Sequence, residues 1–214
     1  MGRSRANFVQ TGLTISILFC VFAWAQDKSP YFPIKVGREG PGITKFEADW
    51  FSKSLERMKE PRLPELAKDV SSEVYRIMIL PTWGNPIVVR AQKHEGIYVL
   101  SARRLNGQGG YDPGKLVEAK EAELSMEDSK TLEGLVHELS FFQLSTGEKG
   151  IVGMDGDESI LEGVSKGRYH VITRWTATYK TDERGLKTFL DVCRFLVDKS
   201  TLSERPKNKG HKLI

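Results

Sequence analysis

Three runs of strand-forming residues lie so close together in this chain that only antiparallel pairing is open to them. They are Val74–Leu80, bounded by Pro81, Ile87–Ala91 after the turn Trp83-Gly84-Asn85-Pro86, and Ile97–Arg104 after the polar turn Lys93–Gly96. A parallel crossover needs a dozen or more residues, and none of these connections is that long. Lys115–Leu124 follows a glycine-rich loop, Asn106–Gly114, and its position next to these runs predicts a fourth strand despite its Lys/Glu/Ala content. Ser159–Trp175 carries the best hairpin signal and adds two more.

Helices are predicted at three places. Thr44 and Glu47 form a capping box, in which each residue satisfies an orphan amide near the other. Phe46, Trp50, Phe51, Leu55 and Met58 then form an apolar stripe, and Pro61 ends the helix. Ser125 and Asp128 start a second helix with the stripe Leu132, Leu135, Val136 and Leu139. A third runs from about Asp182 to Lys199, with Cys193 on its apolar face. Together these predict an α+β fold: an antiparallel β-sheet of about six strands with two to three helices packed on one face. Residues 43–203 form the single domain, after an extended lead-in over 26–42. Trp50, Trp83 and Trp175 are expected in the core, and His137 on the surface.

The two ends differ from the body. Arg3 and Arg5, an apolar run from Gly12 to Phe22, and Ala23-Trp24-Ala25 predict a secretory signal peptide over 1–25, cleaved after Ala25. Phe19 before Cys20 argues against lipidation, and Ser4 between the arginines argues against a twin-arginine signal. The uncharged stretch Ala6–Gln26 leaves an uncleaved anchor as the alternative; after cleavage no membrane span is expected. The net charge is +4, of which Arg3 and Arg5 supply two and residues 204–214 three, so the body is slightly acidic. The basic tail is expected to be disordered and too small for more than weak, salt-sensitive polyanion binding, so no nucleic acid is expected as a partner. Only Cys193 remains after processing, which excludes an internal disulfide and predicts a buried, inert thiol.

The hairpin supplies the candidate site. Val164-Ser165-Lys166-Gly167-Arg168 fits a three-residue connection, a type I turn closed by left-handed Gly167. Counting outward sets Glu162 opposite His170, Ile160 opposite Ile172 and Glu158 opposite Arg174, on a face turned away from the core. One reading is a pair of cross-strand ion pairs on a wet sheet face. The other is a hydrolase-type site with His170 as general base, Glu162 orienting it and Arg174 holding an anion. A two-residue turn would slip this register by one and scatter the group.

Other motifs are incomplete. Gly109 to Lys115 nearly spells a phosphate-binding loop, but Leu116 stands where a hydroxyl is needed. Asp155, Asp157 and Glu158 lack the spacing of a calcium loop, and His94, His137, His170 and His211 lack short metal-ligand spacing. No metal or cofactor is therefore expected.

Three stretches taken together resemble a group of exported bacterial proteins of no known activity. They are Trp50-Phe51-Ser52-Lys53-Ser54-Leu55 with Glu60-Pro61-Arg62-Leu63, then Gly109-Gly110-Tyr111-Asp112-Pro113-Gly114-Lys115-Leu116, then Glu162-Gly163 through Gly167-Arg168-Tyr169-His170 to Arg174-Trp175. The resemblance spans most of residues 46–196. It implies a bacterial source, a periplasmic or secreted location and a strand over Lys115–Leu124, and it transfers no site residues. The function expected is a non-enzymatic binding or structural module of the bacterial envelope, taking a protein or small ligand, with the hydrolase as the alternative.

Overall fold

The computed structural model describes residues 30–34, 43–148, 150, 153, 155–208 and 211–213. The expected signal peptide and part of the lead-in lie outside the described residues. Six strands form one antiparallel sheet: β1 Val74–Pro81, β2 Ile87–His94, β3 Ile97–Leu105, β4 Leu116–Glu123, β5 Asp157–Ser165 and β6 Arg168–Trp175. Their order is β4-β3-β2-β1-β5-β6, so a meander is extended by the β5–β6 hairpin against β1. Leu116–Glu123 is indeed a strand. It lies at the edge with most residues exposed, and a charged edge discourages pairing with another chain.

The α+β expectation holds, and α3 Met126–Glu138 and α4 Lys187–Lys199 share one face of the sheet. The other face is covered as well. α1 Lys45–Arg57 lies on it with residues 31–32 and Ile43, burying Phe51, Leu55 and Met58 against Met78, Leu80, Val88 and Ile160. Burial of three such side chains contributes about 1.5–3 kcal/mol each. The reason is legible in β1, whose residues are buried throughout: Tyr75, Ile77 and Ile79 face α4, while Met78 and Leu80 face α1. A strand that is apolar on both sides must be covered on both.

The capping box at α1 is complete, with Thr44 accepting from the Glu47 amide at 3.2 Å and Glu47 accepting from the Thr44 amide at 2.7 Å. Thr44→Ala should cost about 1 kcal/mol, read as a lower urea midpoint with an unchanged slope. Phe46, expected in the stripe, is instead exposed at the start of α1. A short α2, Leu63–Leu66, follows.

Three further expectations differ from the structure. The last helix begins at Lys187, because residues 176–186 form a loop gathered by Arg184, whose guanidinium donates to the carbonyls of Trp175, Thr176 and Tyr179. The basic end is not free. Lys207–Asn208 (β7) pairs with His211–Lys212 (β8), Asn208 bonds to Trp83 and Gly156, and Leu213 is buried in the main core. The hairpin closes on two residues, with Lys166 at φ 53° and Gly167 at φ 73°. That pair of left-handed residues is a type I′ turn, whose twist matches that of the flanking strands.

Candidate functional site

The two-residue turn shifts the register by one. Glu162 pairs with Val171, Gly163 with His170, Ser159 with Arg174 and Glu158 with Trp175. Since alternate residues of a strand face opposite ways, Glu162 lies on the α1 side of the sheet while His170 and Arg174 lie on the α4 side. The grouping of Glu162, His170 and Arg174 is therefore undone, and so is the opposition of Glu158 to Arg174.

Glu162 is fully buried and belongs to an ionic network under the α1–α2 junction. Its Oε2 lies 2.8 Å from Arg76 Nε and 2.6 Å from Arg76 Nη2, and its Oε1 accepts from the Tyr169 hydroxyl at 2.9 Å. Glu60 extends the network to Arg76 at 3.5 Å, to Arg90 at 3.0 Å and to Arg103. Arg76 also donates to the Pro61 carbonyl at 2.7 Å, and the Tyr31 hydroxyl to the Glu60 carbonyl at 3.0 Å. Burial pushes the Glu162 carboxyl up, and Arg76 opposes that push. Every group here has a charged or hydrogen-bonding partner, which is the arrangement that makes buried charge tolerable. It is a clamp on residues 60–62 and not a reactive site.

His170 is half-buried between Phe141 and Phe142, with Nε2 2.8 Å from the Leu144 carbonyl. Burial lowers its pKa, so the ring is neutral at pH 7 with the proton on Nε2, donated to that carbonyl. A ring so used orients a loop. Cys193 is fully buried, and burial pushes its thiol far up. Asp157 and Glu158 do not converge on a calcium site, because Asp157 turns inward with Ser159 while the neighbouring Glu158 faces the α1 side. Among the described residues no group of three or more His, Cys, Asp or Glu could hold a metal ion. No helix among them is long and apolar enough to cross a membrane.

The arrangement that does converge was missed by the sequence reading. A cleft of about 410 Å³ opens between the first turns of α1 and the ends of β5 and β6. Phe46 and Trp50 line it from α1, Trp175 from β6, and Glu158 from β5, with Glu47 and Glu148 also on its walls. Trp50 and Trp175, expected in the core, are half-buried. The Trp50 indole is fixed by donating Nε1–H to the Gly109 carbonyl at 2.7 Å, which gives the glycine-rich loop a role other than phosphate binding. Gly153 lies against the Trp175 ring so closely that a Cβ there would stand 1.7 Å from Cζ2. Only glycine permits that approach.

Glu158 is the free acid of this cleft. Glu47 is engaged by the helix cap, and both Glu148 oxygens are engaged by Arg184. Glu158 makes no hydrogen bond or ion pair among the described residues. Burial first, then the charges of Glu47, Asp157 and Glu148, push its pKa up to about 8. At neutral pH it is mostly protonated, so it is able to donate a hydrogen bond to a ligand, and an arriving positive charge would ionise it. In the sequence Trp50 lies between Asp49 and Phe51 and Trp175 between Arg174 and Thr176, so nothing local marks either as a cleft residue; their glycine neighbours, Gly109 and Gly153, are brought by the fold. No family model matches the chain, and no curated protein sequence matches it either.

Proposed function

We propose that this chain is an exported, non-enzymatic binding module of the bacterial envelope that takes an organic cation in the cleft of Trp50, Trp175 and Glu158. One observation carries the reading: an unpaired, half-buried carboxyl stands among three aromatic rings. The cleft is lined by three acids and no basic side chain. Aromatic faces attract a cation through their quadrupole, and the attraction grows when water is excluded. A carboxyl whose pKa is raised by burial and then by neighbouring negative charge gains from a positive ligand. The resemblance to exported bacterial proteins and the expected signal peptide support the location.

The test uses the protein's own fluorescence. Choline and N-acetyl-lysine amide are titrated against it while tryptophan emission is followed. Saturable quenching is expected, tighter at pH 9 than at pH 6.5 because the cation favours ionised Glu158. Glu158→Gln should weaken it about tenfold or more. Equal binding by the variant, or equal quenching by a neutral sugar, would refute the cation reading.

A second reading rests on the same group. A carboxyl with a pKa of about 8 is a competent general acid at neutral pH. Under this reading Glu158→Gln abolishes turnover while ligand binding persists, the opposite of the pattern expected for a binding module.

A further inference from the structure

On the α4 side of the sheet, next to the aromatic cleft and sharing Gly147 and Glu148 with it, a second cavity of about 420 Å³ has a different chemistry. Its apolar walls are Leu139, Leu144, Leu186 and Phe189. Two features of opposite origin meet there, and both call for negative charge.

The first is Arg174. It is 4% exposed, its guanidinium lies over the Phe189 ring at 5.9 Å, and its hydrogen bonds go to carbonyl oxygens alone: Thr146 at 3.0 Å, Thr173 at 2.7 Å and Ser145 at 3.1 Å. No carboxylate forms an ion pair with it among the described residues, and its Nε–H has no acceptor. A buried guanidinium normally has a carboxylate opposite it, because carbonyl dipoles alone do not balance a desolvated charge. Burial accordingly lowers the pKa of Arg174. Glu148 also lines the cavity; it is ion-paired with the other arginine on the wall, Arg184, and acts on Arg174 only at longer range, so two guanidinium groups share one carboxylate there.

The second is the N-terminus of α4. Leu186, Thr188 and Phe189 from its first turn line the cavity, and no side chain caps this 13-residue helix. The first amides of a helix have no partner within it, and the helix dipole adds about half a positive charge at that end. Both α1 and α3 carry a side-chain cap, from Thr44 and Ser125, and α4 offers Leu186 in that position.

We propose that this cavity binds a small organic carboxylate, its anionic head between Arg174 and the first turn of α4 and its apolar tail against Leu139, Leu144 and Phe189. A helix N-terminus and an arginine each bind such a head group, and here they share one space. The four apolar walls select a carboxylate with a hydrocarbon tail over a bare inorganic anion.

The experiment is isothermal titration of the full chain with hexanoate, hexan-1-ol and inorganic phosphate at pH 7. Saturable binding of hexanoate is expected, with no binding of the alcohol and none of phosphate. Arg174→Lys, which retains charge but loses the fork, should weaken hexanoate tenfold or more. Since Arg174 also anchors carbonyls of residues 145 and 146, a second variant leaves it untouched: Thr188→Trp fills the cavity from α4 and should abolish binding while the protein still melts cooperatively. The proposal is overturned by hexanoate failing to bind the unmodified chain, by hexan-1-ol binding as well as hexanoate, by phosphate binding in its place, or by undiminished binding in Thr188→Trp.

Discussion

Arg76→Met should cost about 3–5 kcal/mol of folding stability, among the largest losses available to a single substitution here. The magnitude follows from what is left behind. Glu162 has 0% side-chain exposure and would keep only the Tyr169 hydroxyl as a partner. An unpaired buried carboxylate must either remain charged in a poor medium or take up a proton. The Pro61 carbonyl would also lose its donor, and Glu60 one of its three arginines. The double variant Arg76→Met/Glu162→Leu should recover most of the loss, because no charge is then stranded. Tyr169 would still lack its acceptor, at about 1 kcal/mol. The measurement is urea unfolding of the two single variants and the double. A loss below 1 kcal/mol in Arg76→Met would show that the network is not what holds this junction.

The network also links the fold to the cleft. Glu60 and Pro61 follow α1 directly, so the arginines of β1, β2 and β3 hold the C-terminal end of the helix whose first turns carry Phe46 and Trp50. In Arg76→Met the cleft should therefore loosen along with the core, whereas a substitution confined to the cleft should leave stability near neutrality largely intact.

Much of this architecture could be read from the sequence because local and tertiary demands agree. The capping box at Thr44, the stripe Leu132, Val136 and Leu139, and the short turns between strands all stand as expected. Lys115–Leu124 was harder, since its composition suits a helix; pairing with β3 decides it. The site was illegible for a specific reason. A type I′ turn needs left-handed conformations at both central residues, and Lys166 does not advertise one as asparagine or glycine would. Reading Gly167 as the only left-handed residue lengthened the turn by one. Because side chains alternate, that single residue moved Glu162 and His170 to opposite faces. The covering of both sheet faces had a visible cause in β1, whose apolar residues occur on both parities; treating one face as open kept the cleft beneath α1 from view.

Glu158→Gln should make the protein more stable above neutral pH and remove a pH dependence that the unmodified chain shows. The folded pKa of Glu158, about 8, is above its ordinary value of 4.5, so between those values the folded state holds a proton that the unfolded state has released. Stability contributed in this way is fully present below the ordinary value and is lost as pH rises through the folded one. Asp157 acts in the same sense but is finished sooner, its pKa being pushed up to about 6. His170 acts in the opposite sense below its ordinary 6.5, where the unfolded state takes up the extra proton. The window from pH 7 to 9 therefore isolates Glu158. Across it the unmodified protein should lose about 1 kcal/mol, because only the stretch from pH 7 up to the folded pKa falls inside the window and the carboxyl still meets water in the cleft. Glutamine carries no charge, so the variant should be flat across that window and more stable than the parent at pH 9. Parallel stability profiles for the two proteins would mean that Glu158 is solvated like a surface acid. The cleft would then lose the unpaired, desolvated carboxyl on which its affinity for a cation depends.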